Sequence, residues 1–291
     1  MRELSLVVDA KAQLGEGPSW DDVLQCLYWV DILGRKLHVF HPVDGRDRVI
    51  ELDSYVSSVV PARPGEVVVT LADGVYRVEL ETGRTARMAE VEGDVPGNRF
   101  NDGKCDPAGR LWAGTMALDE SPGRGSLYRI DVDGRVTRVL KGVGISNGLA
   151  WTADGRTMYY IDTPTREIVA FDYDVRTGSI ANRRVVIRIP EDRGFPDGMT
   201  IDAQDRLWIA HWEGGRVSRW DPRTGALLEE IFLPATRVTS CTFGGPNLTD
   251  LYVTTARTGL DDSALAAQPM AGGLFVLRTD VQGTPTVRFA G

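Results

Sequence analysis

The chain holds only three cysteines and three histidines in 291 residues. Cys26, Cys105 and Cys241 are scattered and odd in number. That argues against a disulfide framework and reads as reduced thiols in a cytoplasmic protein. No apolar run approaches the roughly 18 residues that a spanning helix needs. The opening "MRELSLVVDAKAQLGEGPSW" carries charges and lacks the apolar stretch of a signal peptide or membrane anchor. Basic residues are in deficit, with a formal net charge of −8. This argues against a general affinity for nucleic acid, which requires basic patches facing phosphates. It leaves anionic or neutral small substrates open. Helix-length amphipathic runs are nearly absent as well. What remains is an ordinary globular composition, 42% hydrophobic and 25% charged, long enough to bury a core without metal or disulfide staples.

The runs that are present are strand-like. "LYWVD" (27–31), "EVVVTL" (66–71), "LWAGTM" (111–116), "MYYID" (158–162), "LWIAHW" (207–212) and "LYVTT" (251–255) are rich in aromatic and β-branched residues. They recur about every 40 to 49 residues, the period of propeller blades of four strands each. Turns such as "DPAGR" (106–110), "TADGR" (152–156) and "DAQDR" (202–206) precede three of them. Asp-Gly and Thr-Gly pairs at 44–45, 73–74, 82–83, 133–134, 154–155, 177–178 and 224–225 supply tight hairpins. "DVDG" (131–134) lacks the ligand spacing of a calcium loop and reads as one of these turns. Six units predict an all-β fold, a six-bladed β-propeller forming one domain over residues 1–291. "ELSLVVDA" (3–10) is a spare N-terminal strand, and "GLFVLRTD" (273–280) with "PTVRFAG" (285–291) reads as an unfinished last blade. The spare strand is expected to complete that blade and close the ring, removing exposed sheet edges. The stretch 256–273 is the one long segment without strand character.

In a propeller the innermost strands run along a central channel, so equivalent positions of the repeats face one point. Counting back ten or eleven residues from each run reaches Glu16, Asn101, Asn147, Asp197 and Ser240, with Val56 or Ser57 in the second repeat. Asn and Asp crowd turns in any protein, but Glu16 is a poor turn residue. Carboxylates and amides converging on an axis need partners. A sulfur-free, histidine-free oxygen set is what a hard divalent cation takes. Glycines 15, 17, 148 and 198 flank these residues and permit close backbone approach.

"LGEGPSW" (14–20), "RFNDGKCDPAGRLWAGTM" (99–116), "SNGLAW" (146–151) and "PDGMTID" (196–202) resemble the signature blocks of the SMP-30/gluconolactonase/LRE-like family. They are in the family's order and spread over about 190 residues. The resemblance implies a six-bladed propeller with one divalent metal at the channel mouth. It implies Glu16, Asn147 and Asp197 as metal ligands, and Arg99 and Asn101 as substrate contacts. A further acidic contact of some members matches Asp119 without gaps. This chain departs from the pattern there, reading "GTMALDESPG", so Glu120 is a second candidate. The implied reaction opens a sugar lactone, an aldonolactone, to the aldonic acid, the metal polarising the carbonyl toward attacking water. Calcium, zinc, manganese, magnesium and iron(II) all accept these ligands. Asp197 doubles as candidate base. Asp102 is an alternative base, a partner that orients a ligand, or a turn residue.

Three other readings compete. "GISNG" (144–148) fits the Gly-x-Ser-x-Gly of serine hydrolases, but a turn and strand follow it rather than a helix. His38 and His41 sit near Pro42 at a strand end, and His211 lies in an apolar run. A non-enzymatic propeller that binds metal as a regulator is a second alternative; the Arg99–Asn101 pair favours catalysis over it. An ester or organophosphate hydrolase would use the same residues. "GVGISNG" lacks the spacing of a dinucleotide fingerprint. Most aromatics should pack between blades, with Trp212 a candidate to reach the pocket.

Overall fold

In a computed structural model of the chain, residues 4–291 are described. The chain starts with β1 (Leu4–Val8) and then forms blade one from β2 (Gly15–Asp21), β3 (Cys26–Asp31), β4 (Lys36–His41) and β5 (Arg46–Glu51). Blade two is β6 (Ser58–Pro61), β7 (Glu66–Leu71), β8 (Gly74–Glu79) and β9 (Thr85–Glu90). Blade three is β10 (Asn98–Cys105), β11 (Leu111–Ala117), β12 (Gly125–Ile130) and β13 (Val136–Val143). Blade four is β14 (Ser146–Trp151), β15 (Thr157–Asp162), β16 (Glu167–Asp174) and β17 (Ser179–Arg188). Blade five is β18 (Phe195–Ile201), β19 (Leu207–Trp212), β20 (Arg216–Asp221) and β21 (Ala226–Phe232). Blade six takes β22 (Val238–Gly244), β23 (Asp250–Thr255) and β24 (Leu274–Arg278) from the C-terminal side. β1 pairs antiparallel with β24 as its outermost strand. The result is a six-bladed β-propeller closed by the N-terminal strand. Glu3 of the expected strand lies outside the described residues.

Burial falls from the axis outward. β2, β14 and β22 are buried at every position, whereas β5 keeps one buried residue in six. The aromatic runs that marked the period are the second strands, and their side chains fill the gaps between neighbouring blades. Trp29, Trp112 and Trp208 are fully buried there. A recurring aspartate ties the first hairpin of a blade. Asp106 accepts the amides of Ala108 and Arg110 and the Trp112 indole N–H at 2.9 Å. Asp202 does the same for Gln204, Arg206 and Trp208.

Two details depart from expectation. Six of the seven Asp-Gly and Thr-Gly glycines have positive φ, but Gly74 does not. It opens β8, where a Cβ would lie 2.3 Å from the Ala89 carbonyl. "PTVRFAG" is not a blade strand. β1 already occupies the outer edge of blade six, so the segment runs extended across one end of the propeller. There the Phe289 amide donates to Pro61 O (2.8 Å), that of Ala290 to Gly109 O (3.0 Å), and Arg288 pairs with Asp21. The stretch 256–273 contains a short helix, α1 (Asp262–Ala267), capped by the Asp261 carboxylate on the Ala264 amide.

Candidate functional site

Five of the six innermost strands carry a β-bulge at the predicted channel position, the sixth being β6. A bulge re-aims side chains and lets successive residues turn toward one place. Upstream, the same hydrogen-bonding pattern fixes two of these strands. Asp31 accepts the amides of Gln13 and Leu14, and Asp162 those of Gly144 and Ile145. Each aspartate thereby anchors the chain two or three residues before Glu16 and Asn147. Gly198 lets Asp197 close in on the axis, since a Cβ there would sit 2.1 Å from Ser240 Oγ.

Glu16, Asn101, Asn147 and Asp197 line one cavity of about 780 Å³ at the channel mouth, each nearly buried. Residues two positions before the ring in every blade line it as well: Leu14, Tyr55, Arg99, Ile145, Phe195 and Arg237. By the same register the sixth-blade member is Thr239. The predicted Ser240 lies one residue further on, because the turn that joins Phe243 to its partner Leu251 is longer than the corresponding turns from Trp20 to Leu27 or Cys105 to Leu111. Trp212, Met116 and Leu118 add to the wall, and Thr258 and Gly259 of the long connection reach its rim. The Arg237 guanidinium stacks 4.7 Å over Trp212 and pairs with Glu213; that of Arg166 lies 3.7 Å over Phe195.

A directed hydrogen-bond chain crosses the site. Arg99 Nη1 donates to Asn101 Oδ1 (2.7 Å), Asn101 Nδ2 to Asn147 Oδ1 (3.1 Å), and Asn147 Nδ2 to Thr163 Oγ1 (2.8 Å). Thr163 Oγ1 in turn donates to the Pro196 carbonyl (2.8 Å). A guanidinium can only donate and a carbonyl can only accept. The polarity of the chain is therefore fixed at both ends. The oxygen of Asn147 is turned away from Thr163, and it keeps one lone pair beyond the bond from Asn101.

The carboxyls of Glu16 and Asp197 lie close together in the wall of the cavity. Burial, then the charge of Asp102, pushes Glu16 up to about 8. Burial, then Glu16 and Asp102, holds Asp197 well above the usual carboxylate range. Burial lowers Arg99 to about 10, against the pull of Glu16, Glu120 and Asp197. Two desolvated carboxyls so close together cannot both ionise without a compensating cation. Among the described residues no three His, Cys, Asp or Glu converge as a metal cluster. The set here is two carboxyls and an amide oxygen, all hard donors of the kind that fits a divalent cation.

Residues 14–257 match the family profile described as the SMP-30/Gluconolactonase/LRE-like region. The chain belongs to this family. A Bacillus subtilis (strain 168) protein, YvrE, provisionally named a sugar lactone lactonase, is 41% identical over 98% of both chains. Regucalcin of Gallus gallus is 41% identical over 99% of both. The solved structure of a regucalcin from Agrobacterium tumefaciens str. C58, described as a calcium-binding protein, superposes with a TM-score of 0.94 at 33% identity, covering 99% of this chain and 96% of that one. These relatives carry the names lactonase and regucalcin.

Within this member of the SMP-30/gluconolactonase group, the two acidic candidates separate. Both are exposed, but Glu120 lines the cavity, whereas Asp119 does not and accepts the Ser121 amide. Glu120 has φ 57°, a left-handed conformation uncommon for glutamate. Asp102 does not line the mouth; its Oδ1 accepts the Gly103 amide. Among the described residues no histidine lines the cavity. Ser146 Oγ receives the Tyr160 hydroxyl (2.8 Å) and is fully buried. His211 Nε2 contacts Ser218 and Nδ1 the Arg193 carbonyl. The serine-nucleophile reading therefore has no geometric support. Tyr55, Phe195 and Arg237 were not anticipated. The signal that finds them is the ring register moved back by two residues, which also reaches Arg99, a residue that only the family resemblance had pointed to. Thr163 belongs to a 3-10 turn, Thr163–Thr165, which strand periodicity does not reveal.

Proposed function

We propose that the chain is a divalent-metal-dependent lactonase that opens an aldonolactone to the aldonic acid, using the mouth cavity. The observation that carries the reading is the paired burial of Glu16 and Asp197 beside Asn147, within reach of the directed Arg99–Asn101 pair. The lactonase name of the Bacillus subtilis relative supports the activity, and the calcium-binding description of the Agrobacterium regucalcin supports a metal. Glu16, Asn147 and Asp197 would hold the ion, which when bound supplies Lewis-acid polarisation of the lactone carbonyl.

The chain's own groups have defined work. Asp197 takes a proton from the attacking water as the water oxygen bonds to the carbonyl carbon. Arg99 donates to the oxygen that gains negative charge, and Asn101, whose own amide protons go to Asn147 Oδ1 and the Ser146 carbonyl, holds the Arg99 guanidinium in position through its Oδ1. As the ring C–O bond breaks, the proton held by Asp197 passes to the departing ring oxygen, leaving a hydroxy acid. Glu120 accepts from sugar hydroxyls at the rim, and Trp212 offers a flat face to the ring. Three buried free cysteines fit a reducing cytoplasm. The test is a panel of five- and six-carbon lactones with Arg99→Met and Asp197→Asn. Losing the Arg99 interaction should lower kcat by roughly a hundred- to a thousandfold. Metal binding without hydrolysis of any lactone would instead favour the regulator reading suggested by the calcium-binding relative.

A further inference from the structure

Past the ring, the channel widens again into a separate cavity of about 360 Å³. Residues three positions beyond the ring line it from every blade: Ser19, Val60, Lys104, Ala150, Thr200 and Thr242. Asp102 and Ser240, one position beyond the ring, face into it too. Its rim carries the exposed Pro107 and Ala153 and the C-terminal residues Thr284 and Pro285, so it opens to solvent away from the mouth.

The lining is largely apolar, with a ring of hydroxyls that face the cavity. Ser19, Thr200, Ser240 and Thr242 are between 5% and 8% exposed, and among the described residues none of their hydroxyls has a side-chain partner. Lys104 gives one ammonium proton to the Met199 carbonyl (2.7 Å) and keeps two. Asp102 keeps one carboxylate oxygen free of protein donors. Buried polar groups are retained where something satisfies them. Four hydroxyls can each donate and accept. The single ammonium disfavours a cation and the single carboxylate an anion. Val60, Ala150 and Trp151 add apolar faces for C–H groups.

We propose that this far cavity is a second small-molecule site, for a neutral polyol of about monosaccharide size, independent of the lactone site. Its volume lies within the ordinary range of ligand pockets, roughly 300–1,000 Å³. The test is saturation-transfer NMR on the whole chain with D-glucose, D-sorbitol and xylitol as probes. At least one polyol should bind, and Thr200→Val and Thr242→Val should each weaken it roughly three- to tenfold. The same two variants should leave the lactone KM unchanged, which separates this cavity from the mouth. Should a valine variant fail to fold, Ser19→Ala carries the same comparison. Absence of transfer from all three probes, meaning the cavity holds water only, overturns the proposal. So does binding that falls with Arg99→Met and ignores the hydroxyl variants.

Discussion

Thr163→Val isolates the hydrogen-bond chain that orients Asn147. The substitution keeps the side chain's shape and removes the oxygen that accepts from Asn147 Nδ2 and donates to the Pro196 carbonyl, both at 2.8 Å. A buried amide N–H then has no partner, at a cost of about 1–3 kcal/mol. The amide cannot recover by flipping, because its nitrogen would then face Asn101 Nδ2, itself a donor fixed by Arg99. Asn147 Oδ1 loses its set orientation toward Glu16 and Asp197. Removing a partner that orients a metal ligand typically lowers affinity about 10- to 100-fold, or about 1.4–2.7 kcal/mol. Isothermal titration of metal-free protein with calcium, manganese and zinc reads this directly. Thr163→Ser keeps the hydroxyl and should bind as wild type does. Equal affinity in wild type and Thr163→Val would refute the orienting role, and so would a serine variant as weak as the valine one.

Other consequences can be checked alongside. Ser146→Ala should retain most lactonase activity, whereas Asp197→Asn or Glu16→Gln should abolish it; the reverse pattern in initial rates would revive a serine nucleophile. Burial lowers His211 from 6.5 to about 4. Between those values the unfolded chain binds a proton that the folded chain refuses, so this contribution is complete above pH 6.5 and lost as pH falls toward 4. It amounts to about 3 kcal/mol; urea unfolding of His211→Gln should show a flatter pH dependence than wild type, and identical slopes would contradict it. Phe289 is buried in the apolar cluster that also holds Val60, Phe100 and Tyr128. Phe289→Ala should therefore lower stability by about 3–5 kcal/mol in denaturant melts, with the lactone KM unaltered.

The fold was readable because the second strand of each blade must be apolar on both faces, so six aromatic and β-branched runs stand out at a constant spacing. From that spacing alone the count back reached Glu16, Asn101, Asn147 and Asp197, which the structure brings to one cavity. It went astray at Ser240 because the turn between Phe243 and its partner Leu251 is longer than its counterparts in the other blades, which shifts a count made backward from the second strand. "PTVRFAG" alternates as a strand would, yet strand formation requires a free edge, and β1 holds the one available in blade six. Asp119 and Glu120 are adjacent and chemically alike; only the turn after Ala117 decides which of them faces the cavity. Thr163 was invisible because its role depends on the hydroxyl lying between Asn147 and a carbonyl from the next blade, a relation of three segments distant in sequence.

The central claim is that the buried carboxyl pair serves a divalent ion needed for lactone opening. It is tested most directly by a pH-indicator assay of aldonolactone hydrolysis on protein stripped with a chelator, then supplemented with single divalent metals. The account predicts that hydrolysis above the spontaneous rate disappears on stripping and returns with at least one metal. Undiminished hydrolysis after exhaustive chelation would contradict it.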